Sequence, residues 1–348
     1  MTACIEDPYG GFHRHPDGTF RKTMPTDRAR REVIGHRTIR DHMPVAALLG
    51  SITSSGEHTL IYQDVFATGR CGLLLADLIT AADRDPRRVP EVIALIDAVC
   101  DGWRSAAART GGIAPIGACQ PGLYIARLAP GGRLDNWYGR LPPFLLDNGA
   151  HVAKLDFPGL LIRLRHDFSP GALCMTALTQ GDPTEPNIAA PLCWLDYEHA
   201  GRNTLAGEAA VLLWYLLAMG GWLVPRYKPR THARTTHIRA AAVLPPAMAH
   251  LRTYGDRVEV AGTLRAGAGR RAAIDALLRR LSADVGSLIG APGSDPMAAL
   301  RPWLTLRIMG VIPLSAMSPA DAAVCLAKLS QALDPNISLE HFAATEKP

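Results

Sequence analysis

The alternation of apolar and polar positions changes character once along the chain, near residue 66. Before that point, short apolar runs are separated by turn formers. Gly10-Gly11 and Asp17-Gly18 flank apolar and aromatic pieces, which predicts a β-hairpin ending in the strand TFRKTM. Pro25 and Thr26-Asp27 read as a helix entry. RARREVIGHRTIRDHM (28–43) then places Val33, Ile34 and Ile39 in a mainly helical pattern with many exposed arginines. VAALLGSI and HTLIYQDVF follow as two strand-like runs around the turn TSSGE. Residues 1–66 therefore predict a small β-rich lobe with one helix.

From 67 to 348 helical spacing dominates. LLLADLITAADR and RVPEVIALIDAVCDGWRSAAART carry it first, and helices are expected over 205–224, 270–290, 297–310 and 319–333. Residues 111–149, rich in Gly, Pro and Arg, read as helix and loop. GLLIRLRHDF and ALCMTALTQGD read as strands or extended segments, and APLCWLDYE as another short strand. A basic, turn-rich passage, PRYKPRTHARTTHIRA (225–240), interrupts the helices. No internal repeat of solenoid length is visible. The expected class is α+β with two unequal lobes, 1–66 and 67–348.

Composition narrows the options. A chain of 348 residues is long enough for two lobes, and 48% hydrophobic with 20% charged residues argues against extensive disorder. The N-terminus, MTACIEDPYGGFHRHPDG, lacks the basic and apolar regions of a signal peptide. The seven cysteines are scattered, with no CxxC pair or Cys/His cluster at zinc spacing, which leads us to expect reduced thiols in a cytoplasmic protein. The uncharged run AAVLLWYLLAMGGWLV (209–224) falls short of the ~20 residues a spanning helix needs, so a buried core helix is expected and no membrane span. Net charge is +5, but lysine occurs only at 22, 154, 228, 328 and 347. That makes the isolated Lys22 conspicuous.

The segment QGDPTEPN (180–187), followed by WLDYEHAGRN, keeps polar groups in apolar surroundings. Asp182-x4-Asn187 fits a loop that turns back so that both side chains face one cleft. Asp196, at the end of an apolar strand, can reach the same place. Pro183 and Pro186 restrict the loop between them. Each residue alone would be an ordinary turn former. Jointly, in this order, they offer what phosphoryl transfer needs: a carboxylate for the attacking hydroxyl, and an Asn with a second carboxylate for Mg²⁺.

QGDPTEPN…WLDYE resembles the HGDxxxxN…IDxE signature of the aminoglycoside phosphotransferase/choline kinase-like family. The resemblance implies a bilobal, protein-kinase-like fold and Mg·ATP-dependent transfer of a γ-phosphoryl group to a hydroxyl. Asp182 would orient the hydroxyl and take its proton, and Asn187 and Asp196 would hold Mg²⁺ against the nucleotide. Lys22, on a candidate third strand, and Glu32, on the following helix, would form the pair that positions the α- and β-phosphates. Gln63 to Val65 would be the hinge offering backbone groups to adenine. AGRNTLAGEAAVLLW resembles the family's helix entry GDPxxDLA.

Three departures accompany it. Gln180 replaces the motif His, Arg202-Asn203 and Glu208 alter the helix entry, and YGGFHRHPDG is a loose stand-in for a Gly-rich phosphate loop. They motivate the alternative of a pseudokinase-like scaffold or nucleotide-sensing protein without phosphotransfer. Another rival is a kinase-fold enzyme doing other nucleotidyl chemistry. AGAGR (266–270) lacks a strand–turn–helix context and reads as a loop before a helix.

Charge bears on the acceptor. Residues 205–348 hold 16 Lys and Arg against 10 Asp and Glu. A polycationic aminoglycoside is better served by an acidic pocket. The expected acceptor is thus a neutral or anionic hydroxylated small molecule, such as a nucleoside, sugar or natural-product intermediate. Nucleic-acid binding would rest on the basic 226–239 passage alone and is not expected.

Overall fold

The computed structural model describes residues 11–54, 56–119, 125–149, 151–235, 249–289 and 295–346. Its first lobe is built on strand alternation. β1 (Gly11–Arg14), β2 (Thr19–Pro25), β3 (Leu48–Ser54) and β4 (Glu57–Gln63) form one antiparallel sheet in the order β1-β2-β4-β3. Phe20, Lys22 and Met24 are spaced by two along β2 and so share its inner face. Lys22 stands opposite Phe12 on one side and Leu60 on the other. α1 (Thr26–Ile39) packs on this sheet, turning Ala29, Glu32, His36 and Ile39 inward at helical spacing. The inner faces of β2 and α1 thus each carry one buried charge, Lys22 and Glu32.

The rest of the chain is mainly helical. β5 (Leu73–Leu74), α2 (Leu75–Arg84), α3 (Val89–Thr110), β6 (Gly112–Pro115), α4 (Ile125–Leu128) and α5 (Arg133–Tyr138) come first. β7 (Phe144–Asp147), β8 (Val152–Leu155), α6 (Phe157–Asp167) and β9 (Leu173–Thr179) lead to the 180–187 loop. β10 (Ile188–Ala190), β11 (Cys193–Trp194) and β12 (Gly201–Thr204) surround Asp196. After them come α7 (Leu205–Trp214), π-helical turns over Tyr215–Leu223, α8 (Val224–Tyr227) and α9 (Pro229–Thr235). β13 (Ala249–Tyr254), β14 (Arg257–Gly262), α10 (Ala268–Arg280), α11 (Gly286–Ile289), α12 (Pro296–Gly310), α13 (Pro319–Leu333) and α14 (Leu339–Ala343) complete the chain.

Three small sheets organise this lobe: β11-β10-β5, β12-β9-β6 and β13-β14-β7-β8, the last with β7 and β14 parallel. Leu205–Tyr227 is long and apolar enough to cross a membrane by length and composition, yet 89% of its most apolar window is buried inside the protein. It is the central core element of the lobe.

Three expectations need correction. GLLIRLRHDF is not extended but lies in α6. Asp156 caps the helix by accepting from Gly159 N–H at 3.1 Å, and Leu160, Leu161 and Leu164 bury at helical spacing. The passage from 225 is helical through α8 and α9 up to Thr235, and 236–240 fall outside the described residues. Residues 111–149 include the strands β6 and β7, whose partners β9 and β14 lie far along the chain.

Candidate functional site

Lys22 is 6% exposed and Glu32 1%, and their side chains form a salt bridge inside the first lobe. Tyr62 Oη donates to Glu32 Oε1 at 3.1 Å, holding the carboxylate from its other side. Lys22 Nζ also donates to Asp196 Oδ1 at 2.7 Å, so one ammonium bridges α1 and the loop after β11. Burial alone would lower the Lys22 pKa, but the carboxylates of Asp196 and Glu32 hold it well above the ordinary lysine value. Burial likewise pushes the Asp196 carboxyl up, and Lys22 outweighs it and keeps that carboxyl below its usual range. Lys22 lies on the second described strand rather than a third, and residues 1–10 are outside the described residues.

Asp196 has φ 58°, the one positive value at a non-glycine position among the described residues. Left-handed backbone is tolerated by Asp better than by most side chains, and such strain persists only where surrounding contacts enforce it. Gln180 is the chief contact. It is fully buried, and its Nε2 donates to the carbonyls of Leu195 at 2.9 Å and Asp196 at 2.5 Å. Its Oε1 accepts from Asp182 N–H at 2.9 Å. These partners fix the amide orientation, since two carbonyls require the nitrogen and one N–H requires the oxygen. One amide thus ties the 180–187 loop to the Asp196 turn.

The remainder of the loop is braced in the same way. Asn187 Nδ2 donates to the Asp182 carbonyl at 2.9 Å, leaving Oδ1 as the acceptor of that side chain. Gly181, at φ 89°, lies so close to the His199 carbonyl that a Cβ would sit 2.0 Å from its oxygen. Gly181 N–H donates to Glu208 Oε1 at 2.6 Å, and Trp103 Nε1 donates to Glu208 Oε2 at 2.7 Å. Burial pushes the Glu208 pKa up to about 7 against these donors. Glu208 therefore serves as a buried anchor under the loop.

Three features had no role assigned from sequence. Glu198, inside the WLDYE stretch, accepts from Arg28 Nε and Arg31 Nη2, both at 2.8 Å, clamping α1 to the Asp196 turn. Arg270 of α10 donates to Glu185 Oε1 at 2.5 Å and to the Leu216 carbonyl at 2.9 Å. This buried pair explains Gly220-Gly221 in the apolar helix: a Cβ on Gly220 would sit 2.3 Å from the Glu185 carboxylate, and one on Gly221 2.9 Å from the Arg270 guanidinium. The AGAGR stretch, expected as a loop before a helix, is loop through Gly267 and already enters α10 at Ala268, with Asp83 accepting from Gly269 N–H at 2.8 Å. Finally, Arg307 of α12 donates from Nη2 to Asp182 Oδ1 at 3.2 Å. The Glu185–Arg270 and Arg307–Asp182 contacts join residues about a hundred positions apart, which no local pattern reveals.

A cavity of about 290 Å³ opens beside the Lys22–Asp196 contact. Its lining includes Lys22, Glu32, Gln63, Val65, Asn187 and Asp196, together with Phe12, Phe20 and Phe66. Aromatic walls with a few convergent polar groups suit a flat heterocycle carrying charge at one end. Gln63 N–H is used in the sheet by the Ala47 carbonyl at 2.9 Å, whereas Val65 N–H has no acceptor among the described residues. Asp182 is not part of this lining, and its side chain is 23% exposed.

No cluster of three or more His, Cys, Asp or Glu gathers as a metal site among the described residues. Mg²⁺ needs no such cage, because one or two protein oxygens plus phosphates and water satisfy it. Asn187 Oδ1 and the Asp196 carboxylate, both at the cavity, are hard oxygen donors of that kind and fit it.

No family model and no curated protein matches the chain. Solved structures do. Aminoglycoside phosphotransferase APH(3'')-Id from Streptomyces rimosus is 16% identical, with 68% of this chain and 86% of that one covered and a TM-score of 0.39. Its complex with ADP and streptomycin gives 15%, 66%, 87% and 0.36 for the same quantities. A glucosamine kinase structure gives 13%, 94%, 76% and 0.39. At such distance these likenesses add nothing to the site's chemistry. The chain's own arrangement is α+β, with a strand lysine paired to a helix glutamate, and Asn187 and Asp196 meeting that pair at one cavity.

Proposed function

We propose that the chain is an ATP- and Mg²⁺-dependent phosphotransferase that moves the γ-phosphoryl group to a hydroxyl of a small molecule. The carrying observation is Lys22, bridged to Glu32 and Asp196 at the wall of a cavity that Asn187 also lines. In this reading residues 1–66 form the nucleotide-binding lobe, and 67–348 carry the chemistry and the acceptor. Lys22 steadies the α- and β-phosphates, and Val65 N–H meets the adenine edge. Asn187 and Asp196 would hold Mg²⁺, which would supply neutralisation of phosphate charge. Asp182 orients the acceptor hydroxyl and receives its proton. Because the transition state for such transfers is loose, most of the catalysis is positioning and charge neutralisation. That is the service the hydrogen bonds of Gln180, Asn187 and Glu208 provide. Gln180, which motivated a scaffold without chemistry, uses both ends of its amide to hold the loop, and this supports an active arrangement.

A thermal-shift titration tests the nucleotide half of the reading. Mg·ATP at about 100 times its Kd stabilises a one-site binder by about 2.7 kcal/mol. The wild type is expected to respond and Lys22→Met to lose most of the response. An unresponsive wild type would contradict the proposal.

A further inference from the structure

We infer that Arg307 selects an anionic acceptor, a hydroxylated compound whose carboxylate or phosphate binds beside Asp182. The inference rests on the phosphotransferase reading, in which Asp182 meets the acceptor hydroxyl. Arg307 lies in the last turn of α12 and is 4% exposed. Its guanidinium has five N–H donors in a planar fork. Nη2 meets Asp182 Oδ1 at 3.2 Å, while Nε is buried with no hydrogen-bond partner among the described residues.

A purely structural support for Asp182 should look different. Arginine and carboxylate close a two-pronged contact when the pair is the whole design. Here the contact to Asp182 is single-pronged and long, and the Nε prong is unused. Nε is itself closed to incoming groups, so a further acceptor meets Nη1, which makes no hydrogen bond among the described residues and is not fully enclosed. The oxyanion of a bound substrate supplies one next to the proposed base, where its hydroxyl must also sit.

The surroundings carry the same sign. Arg133 donates to the Gly310 carbonyl at 3.3 Å, and the Arg127 side chain passes 3.5 Å from the Cβ position of Gly310, at the same end of α12. The neighbouring carboxylate Glu185 is already held by Arg270. Glu208, the buried carboxylate under the loop, is held by Gly181 N–H and Trp103 Nε1, so the arginines at this end of α12 favour a negative group over a polycation.

Four related sugars test this with Mg·ADP present: glucuronate, glucose 6-phosphate, glucose and glucosamine, each titrated by calorimetry. Glucuronate or glucose 6-phosphate is expected to bind at least about tenfold more tightly than glucose, with glucosamine weakest. Arg307→Gln should abolish the anion preference while keeping the Mg·ADP thermal shift, which also shows that the variant folds. Arg307→Lys, with charge but no fork, should keep part of it. Equal affinities, a preference for glucosamine, no binding of either anion, or an unchanged preference in Arg307→Gln would overturn the inference. Absence of a Mg·ADP shift in the wild type would instead sink the phosphotransferase reading itself.

Discussion

Gln180 shows how much one side chain can hold in place. Its amide satisfies two carbonyls of the Asp196 turn and the N–H of Asp182, all in a buried setting. Leucine would fill the same space and leave those three groups without partners. Each buried polar group left unsatisfied costs about 1–3 kcal/mol, so Gln180→Leu is expected to lose at least about 2 kcal/mol in urea unfolding. Wild-type stability in that variant would refute the bracing role. The loop was legible in sequence because its residues are local: Asp182, Asn187 and Asp196 fall within fifteen positions, and each needs a neighbour in the same stretch. Arg307 was not legible, since it reaches Asp182 from a helix 125 positions away.

Among elements, the loop is held by helices that approach from outside it. Arg270 of α10 and Glu185 form a buried ion pair across the π-helical turns of the apolar helix. Removing one partner of such a pair costs about 3–5 kcal/mol, because the other charge stays buried, whereas replacing both with apolar groups is often nearly neutral. Arg270→Met should therefore destabilise strongly, and Glu185→Leu with Arg270→Met should recover much of the loss. Additive losses in denaturant unfolding would contradict this account. Sequence patterning read α1, α2, α3, α7 and α12 well because each buries a continuous stripe or a whole circumference. It misread α6, where GLLIRLR offers apolar runs that suit strand and helix equally. The Asp156 cap and Pro158 lie just before that run and decide the outcome. The β13-β14-β7-β8 sheet escaped notice because its parallel pair, β7 and β14, joins segments separated by four helices and the apolar core.

At the scale of the molecule, charge joins apolar packing where the N-terminal sheet and α1 meet the Asp196 turn. Lys22 reaches Asp196, and Arg28 and Arg31 reach Glu198, so the first lobe grips the turn that carries the proposed metal ligand. Far from this site, Lys328 of α13 is buried, with Nζ donating to the Phe342 carbonyl, and burial pushes its pKa down to about 8. Unfolded lysine titrates near pH 10.4, so between about 8 and 10.4 the unfolded chain holds a proton that the folded one lacks. Stability from this group therefore rises with pH across that window, by up to about 3 kcal/mol, and the full penalty applies below it. Lys328→Met should remove that rise, seen as a stability difference from wild type that changes between about pH 7 and about pH 10. A difference independent of pH would contradict the assignment. The central claim concerns Asp182, and it is tested most directly by acceptor-dependent ADP formation in the wild type and Asp182→Asn at saturating Mg·ATP. Turnover is expected to fall about 10²–10⁴-fold with the Mg·ATP thermal shift intact. Near-wild-type turnover in Asp182→Asn would contradict the account.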